Sequence, residues 1–216
     1  IGNASGDLIN NDKRIPLVSF TGSTRIGRHV SQVVAGRFGN TILELGGNNA
    51  VIVSEHADLN MVLMGTVFGA VGTAGQRCTS TRRLIVHESV YDKTINVLKK
   101  AYNQLKIGNP LDAANHVGPL IDKKATEDYL KAIEKAKQEG GKVIVAGGVL
   151  SGKGYESGCY VKPCIIEAKN EYEIVQEETF APILYVLKYN TIQEAIAMQN
   201  GVPQGLSSSI FTNNLR

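Results

Sequence analysis

Apolar and polar positions along the chain switch between two periods, and the switching predicts an α/β layout. Leu17-Val18-Ser19-Phe20, opened by Pro16, reads as a short buried strand. A helix is expected from residue 25 or 26 to about 38. Residues 41–45 and 50–53 read as two short buried strands around a Gly46-Gly47-Asn48-Asn49 turn. Asp58 is a good N-cap for a helix to about residue 71, with Leu59, Val62, Leu63, Val67 and Ala70 on one face. Gly65, Gly69 and Gly72 lower its helix propensity, which points to close backbone packing.

The second half repeats the pattern. Leu84-Ile85-Val86 is a strand, and residues 92–105 form a helix with Ile95, Leu98, Tyr102 and Leu105 as its stripe, ended by Gly108-Asn109-Pro110. Residues 126–138 form another helix, with Leu130, Ile133 and Ala136 or Lys137 along one side, stopped by Gly140-Gly141. Residues 143–146 read as a strand, 152–158 as a loop and 160–166 as extended. Residues 182–189 are a strand, 191–200 a helix and 207–211 a strand. Residues 1–15 read as polar and turn-like. Strands alternating with helices imply an α/β fold with a largely parallel sheet.

Composition adds a class and little more. With 216 residues the chain can bury roughly 70% of its unfolded surface. It is 43% hydrophobic and 20% charged, ordinary for a globular protein. A net charge of +3, with the basic residues scattered, does not suggest nucleic acid or a membrane surface. No apolar run reaches the roughly 18 residues of a transmembrane span. Three cysteines, Cys78, Cys159 and Cys164, show no framework spacing and point to a reducing compartment. No CxxC and no histidine cluster suggests a metal site; His29, His56, His87 and His116 are isolated. The chain does not begin with Met, carries no targeting pattern at its start, and ends just after a strand. Both ends are therefore expected to be cuts through a larger protein.

Candidate chemistry centres on Gly72-Thr73-Ala74-Gly75-Gln76-Arg77-Cys78-Thr79. A cysteine in a Gly-loosened turn after a helix can be exposed on a rigid support. Thiolate is the reactive form, and nearby cations such as Arg77 favour it. The same residue read blandly is a small buried hydrophobe. Glu44, at a strand end before Leu45-Gly46-Gly47, is either a general base for that thiol or a solvated loop acid. Thr21-Gly22-Ser23-Thr24-Arg25-Ile26-Gly27 joins a strand to a helix, an arrangement that offers backbone N–H groups to a phosphate. It lacks the GxGxxG pattern and is weak as a fingerprint.

Together these stretches resemble the aldehyde dehydrogenase superfamily. Phe20-Thr21-Gly22-Ser23, Glu44-Leu45-Gly46-Gly47, Gly75-Gln76-Arg77-Cys78 and Glu178-Thr179-Phe180-Ala181-Pro182 stand in its order, with its spacing between Glu44 and Cys78. The set is most similar to the antiquitin group, the α-aminoadipic semialdehyde dehydrogenases. Its signs are Asn48-Asn49-Ala50 after the Gly pair, Arg77-Cys78-Thr79, Ala181 in place of the usual glycine, and Gln204-Gly205-Leu206-Ser207-Ser208-Ser209-Ile210-Phe211.

The resemblance implies NAD-dependent oxidation of an aldehyde, such as α-aminoadipic semialdehyde, to the acid. Cys78 would be the nucleophile, forming a thiohemiacetal and then a thioester, and Glu44 the base that activates water. Gly22, Ser23, Ile26, Leu45, Glu178 and Phe180 would bind the cofactor: Gly22 and Ser23 at the pyrophosphate, Ile26 near adenine, Glu178 at the nicotinamide ribose, Phe180 beside the nicotinamide. The Cys78 N–H would be one oxyanion donor; the other is expected upstream of the chain. Residues 1–44 would be the C-terminal part of a Rossmann-like NAD-binding domain, and 45–216 most of the catalytic domain, incomplete at its end. A homo-oligomer, dimer or tetramer, in cytosol or mitochondrion, is the expected setting. The residues by themselves leave open a cofactor-independent thiol esterase and a non-catalytic fragment or pseudoenzyme, and the 216-residue piece alone is expected to bind NAD poorly.

Overall fold

The computed structural model describes residues 3–214. Its contacts divide the chain into two compact units, Ile1–Gly46 and Gly47–Arg216. The fold is mixed α/β with a mostly parallel sheet. Among the described residues no helix is long and apolar enough to cross a membrane.

The first unit runs α1 (Asn3–Asn11), β1 (Leu17–Thr21), α2 (Thr24–Gly36) and β2 (Asn40–Glu44). β1 and β2 pair in parallel, with Thr21 opposite Glu44 at their C-terminal ends. Val18, Val30 and Val34 are its buried centre, flanked by Ile15, Phe20, Ile26 and Leu43. Two expectations change here. Residues 3–11 are a helix, not turns. Asn, Ser and Gly are poor helix formers, but α1 is tied to α2 by Asp7 against His29 (3.2 Å) and is gripped at its end by Arg37 Nε donating to the Asn10 carbonyl (2.7 Å). β2 alternates exposed and half-buried positions and is not a fully buried strand, because α2 packs against it on one side.

The second unit is a six-stranded sheet in the order β10-β3-β4-β9-β8-β5. The strands are β3 (Asn49–Val53), β4 (Thr81–His87), β5 (Lys142–Val145), β8 (Cys164–Glu167), β9 (Ile183–Tyr189) and β10 (Ser208–Phe211). All neighbours are parallel except the β5–β8 edge pair. A small hairpin, β6 (Gly148–Val149) and β7 (Val161–Lys162), stands apart. Fully buried Leu84, Ile85, Val86, Ile165, Ile166 and Leu184 form the centre, and their near-continuous apolar runs are those of strands covered on both faces.

Helix α3 (Leu59–Val71) lies very close to that sheet. A Cβ on Gly69 would stand 2.4 Å from Thr81 Oγ1, and one on Gly65 2.8 Å from the Phe211 ring. The close packing expected of these glycines is therefore present. Gly72 is different: it ends α3, its N–H donating to the Phe68 carbonyl, and is not crowded.

Helix α4 (Glu88–Asn103) starts earlier than the pattern suggested, because His87 Nδ1 caps it by accepting from the Ser89 N–H. Helix α5 (Lys123–Gln138) is capped by Asp122 and buries Thr126, Tyr129, Ala132, Ile133 and Ala136. Leu130 faces outward, since Tyr129 takes the inner position and donates its hydroxyl to the Lys162 carbonyl (2.6 Å). Short α6 (Glu173–Gln176) has no signal in the sequence pattern; α7 (Ile192–Asn200) opens with a Thr191–Glu194 capping box.

Candidate active site

Of the three cysteines, Cys159 and Cys164 are buried and Cys78 is partly exposed. Burial pushes the Cys164 thiol up to about 11, which removes it as a nucleophile at neutral pH. Cys78 does not sit at the helix end. α3 stops at Val71, a 3₁₀ turn covers Gly72–Gly75, and Cys78 follows in a second turn before β4.

That turn is strained and then pinned. Thr73, Ala74 and Gly75 are consecutive left-handed residues, with φ of 52°, 53° and 68°. For Thr73 and Ala74 this costs roughly 1–2 kcal/mol each, so neighbouring contacts must hold it. Gln76 Nε2 donates to the Pro119 carbonyl (3.2 Å), and Gln76 Oε1 accepts from the Ile121 N–H (2.8 Å). The Arg77 N–H donates to Ser80 Oγ. Asn49 Nδ2 donates to the carbonyls of Cys78 (2.7 Å) and Ser80 (2.9 Å), while its Oδ1 accepts from Ser207. Gly47 is needed beneath the turn, because a Cβ there would lie 2.5 Å from the Cys78 carbonyl oxygen. Among the described residues the Cys78 N–H has no protein acceptor. An N–H left free beside a thiol is available to an oxyanion formed there.

Gly75 closes the turn on the other side. A Cβ there would stand 2.5 Å from the Ala181 carbonyl oxygen, against backbone that cannot yield. Gly75→Ala is therefore expected to destabilise the protein by about 1–3 kcal/mol. A urea unfolding midpoint equal to wild type would contradict this packing.

The segment Gly75 rests on carries two further candidates. Glu178 is largely buried (side chain 18% exposed) and accepts from the Gly47 N–H at 3.1 Å, so it is not a loose surface acid. Phe180 is 45% exposed, so it is not core, and it shares with Glu178 a cleft of about 390 Å³ also lined by Asp128 and Lys135. Arg77, read from sequence as a cation for the thiol, extends over the Phe68 ring (5.2 Å). It lines a largely apolar groove of about 580 Å³ with Met64, Val67, Phe68, Val71 and Leu105, where Thr73 and His116 are the other polar side chains.

Within the first unit, Glu44 is exposed at the end of β2. Its carbonyl accepts from the Gly22 N–H (3.0 Å), which joins the two strand ends and leaves that N–H engaged. Ser23 is the N-cap of α2, its Oγ accepting from the Ile26 N–H. The Leu45 side chain packs onto Gly27, where a Cβ would overlap it at 2.2 Å. Ile26 borders a cleft of about 550 Å³ with Asp7, Phe20, Arg25 and His29.

Four buried polar residues in and beside the thiol turn have no role in the sequence reading of the site. Asn48 and Asn49 are 2% and 4% exposed, and Arg82 and Arg83 2% and 0%. Their signal was present: two arginines opening an apolar strand must find buried acceptors. Successive strand residues point to opposite faces. Arg83 turns toward α7, donating to the carbonyls of Asn48, Met198 and Gln199 and to Asn170 Oδ1, and Arg82 turns toward the thiol turn. Burial holds both guanidinium groups down to about 10, so both remain charged at neutral pH.

The aldehyde dehydrogenase family model matches residues 1–216. Aldehyde dehydrogenase family 7 member B4 of Arabidopsis thaliana is 51% identical over 209 residues, 97% of this chain and 40% of the relative. The α-aminoadipic semialdehyde dehydrogenase of Bos taurus is 50% identical over 211 residues, 97% of this chain and 38% of the relative. Betaine aldehyde dehydrogenase from Staphylococcus aureus, solved in complex with NAD+, superposes with a TM-score of 0.95 at 31% identity, covering 99% of this chain and 43% of that one. The chain spans about 40% of the length of these curated relatives.

Proposed function

The chain belongs to the aldehyde dehydrogenase family, and from that membership we propose that the full-length protein oxidises an aldehyde to its carboxylic acid with NAD as the acceptor. The observation that carries the proposal is the thiol turn: a partly exposed cysteine on a strained backbone held by Asn49, Gln76 and Arg82. A structural cysteine needs none of this support.

The Cys78 thiolate adds to the aldehyde carbon and forms a thiohemiacetal, whose oxyanion accepts a hydrogen bond from the Cys78 N–H. When bound, NAD supplies the acceptor for the hydride that leaves this carbon, and a thioester remains on Cys78. Glu44 takes a proton from water as the water adds to the thioester carbon. The C–S bond then breaks, releasing the acid and the thiolate.

The residues present fit NAD. Ser23 caps a thirteen-residue helix, and the Thr24 and Arg25 N–H groups of its first turn, without a protein acceptor among the described residues, suit a pyrophosphate. Gly22 shapes the turn ahead of that cap, and Leu45 packs beneath α2. Ile26 borders a cleft that suits adenosine. Glu178 is an anchored carboxylate that suits ribose hydroxyls, and Phe180 is an exposed ring that suits the nicotinamide. On this reading residues 1–44 belong to the cofactor domain and 45–216 to the catalytic domain, and the protein works as a homo-oligomer in cytosol or mitochondrion.

For the substrate, we infer a semialdehyde that carries a carboxylate, α-aminoadipic semialdehyde being the case named by the Bos taurus relative. A guanidinium one residue before the nucleophile in the chain, in a largely apolar groove, suits such a chain. Arg77→Ala should raise KM for this semialdehyde about tenfold or more, the value of one charge-assisted hydrogen bond. An uncharged aliphatic aldehyde should change far less. Equal losses for both substrates would remove the carboxylate reading and leave the aldehyde chemistry standing.

A further inference from the structure

Arg82 has no part in the chemistry above, yet its guanidinium reaches both segments that carry it. Nη1 donates to the Gly75 carbonyl (2.9 Å) and to the Ala181 carbonyl (3.2 Å). Nη2 donates to the Arg77 carbonyl (3.2 Å) and lies 3.8 Å from Glu178 Oε1. The carbon at the centre of the group, Cζ, stands over the Phe180 ring, 5.4 Å from its centroid. One side chain thus holds the turn of the nucleophile and the segment of Glu178 and Phe180. Burial lowers its pKa to about 10, and the nearby Glu178 carboxylate opposes that fall.

We propose that Arg82 is a positioning residue that sets the spacing between the Cys78 turn and the Glu178–Phe180 segment, so that cofactor binding and thiol reactivity depend on one another through it. The proposal rests on the assignment of Cys78 as nucleophile and of Glu178 and Phe180 as cofactor contacts.

Comparison with its neighbour shows why packing alone is a poor account. Arg83 engages Nε, Nη1 and Nη2 with oxygens of three separate segments, which is how a buried structural arginine satisfies itself. Arg82 leaves its buried Nε without a partner among the described residues. Its place follows from the two segments it joins and not from the saturation of its own donors. A planar fork can bridge carbonyls on two loops at once, whereas an ammonium is a point donor on a flexible stem. Lysine should therefore replace arginine only in part.

The test compares wild type, Arg82→Met and Arg82→Lys in the full-length protein by two readouts. The first is KM for NAD and kcat in aldehyde oxidation. The second needs no turnover: the rate of Cys78 alkylation by iodoacetamide, followed by peptide mass spectrometry, with and without saturating NAD. We expect Arg82→Met to raise KM for NAD at least tenfold and to lower kcat, with Arg82→Lys between it and wild type. We also expect NAD to change Cys78 alkylation severalfold in wild type and by less than twofold in Arg82→Met. A fall in kcat at unchanged KM, with the NAD effect on alkylation intact, would reduce Arg82 to packing and overturn the proposal. So would a wild-type alkylation rate indifferent to NAD. If Arg82→Met does not fold, Arg82→Lys decides by the same two readouts. Should wild type oxidise no aldehyde while NAD still alters alkylation through Arg82, the enzymatic reading fails and the coupling stands.

Discussion

Cys78→Ala should abolish aldehyde-dependent NADH formation by the full-length protein, with a loss of at least about 10⁴-fold in kcat. A covalent mechanism has no second route once its nucleophile is gone. Stability should hardly change. Cys78 is only partly buried, and the bonds that fix its turn come from its carbonyl and from Gln76, Arg77 and Asn49, none of which uses the sulfur. The thermal midpoint should stay within a few degrees of wild type, consistent with the small cost of a substitution outside the core. A variant that melts normally and turns over nothing separates chemistry from folding. A variant that melts normally and turns over at the wild-type rate would end the proposal. In wild type, the acyl adduct trapped by acid quench should map to the peptide carrying Cys78 and not to Cys159 or Cys164.

The second large effect is expected at Glu44. Glu44→Gln should slow steady-state turnover by about 10²–10⁴-fold, the range of general base catalysis. It should spare the first turnover, because thiol addition and formation of the thioester need no base for water. Rapid mixing should then show a burst of NADH close to one equivalent per active site, followed by a slow phase. Intact mass spectrometry should show the thioester accumulating. The slow phase should quicken as pH rises, since hydroxide attacks the thioester without a base. Glu44 is exposed at the end of β2, and among the described residues its carboxylate makes no hydrogen bond or ion pair that this change would remove. A solvated strand-end acid would instead leave both phases untouched.

The alternation of strands and helices was legible because buried parallel strands must be apolar on both faces, as Leu84-Ile85-Val86 and the 183–187 run are. Helix limits were legible where a side chain announces them, as at Asp58, and obscure where an unusual residue does the work, as with His87 at the start of α4. The Asn3–Asn11 helix was hidden because its composition favours turns, and partners distant in sequence, His29 and Arg37, hold it. Leu130 and Tyr129 show the same limit on a smaller scale. Period alone gave the inner position to leucine, while the tyrosine hydroxyl had a buried carbonyl to reach.

For the candidate site, local turn chemistry pointed to Cys78 and Glu44, whereas Glu178 and Phe180 entered only through the family resemblance. Nothing in spacing could reveal that Asn49 and Arg82 support the turn. Their partners lie on the Cys78 turn and on a segment almost a hundred residues away in the chain, and they meet only once β3 and β4 pair. The left-handed run at residues 73–75 was equally hidden, because two of its three residues are not glycine. A backbone of that kind is chosen by its surroundings and not by its own preferences.

One measurement tests the central claim most directly: NADH formation, followed by absorbance, when the full-length protein receives α-aminoadipic semialdehyde and NAD. The account predicts NADH in step with the carboxylic acid produced, and none when Cys78 is alanine. Hydrolysis of esters by the same thiol, without NADH from any aldehyde, would contradict it.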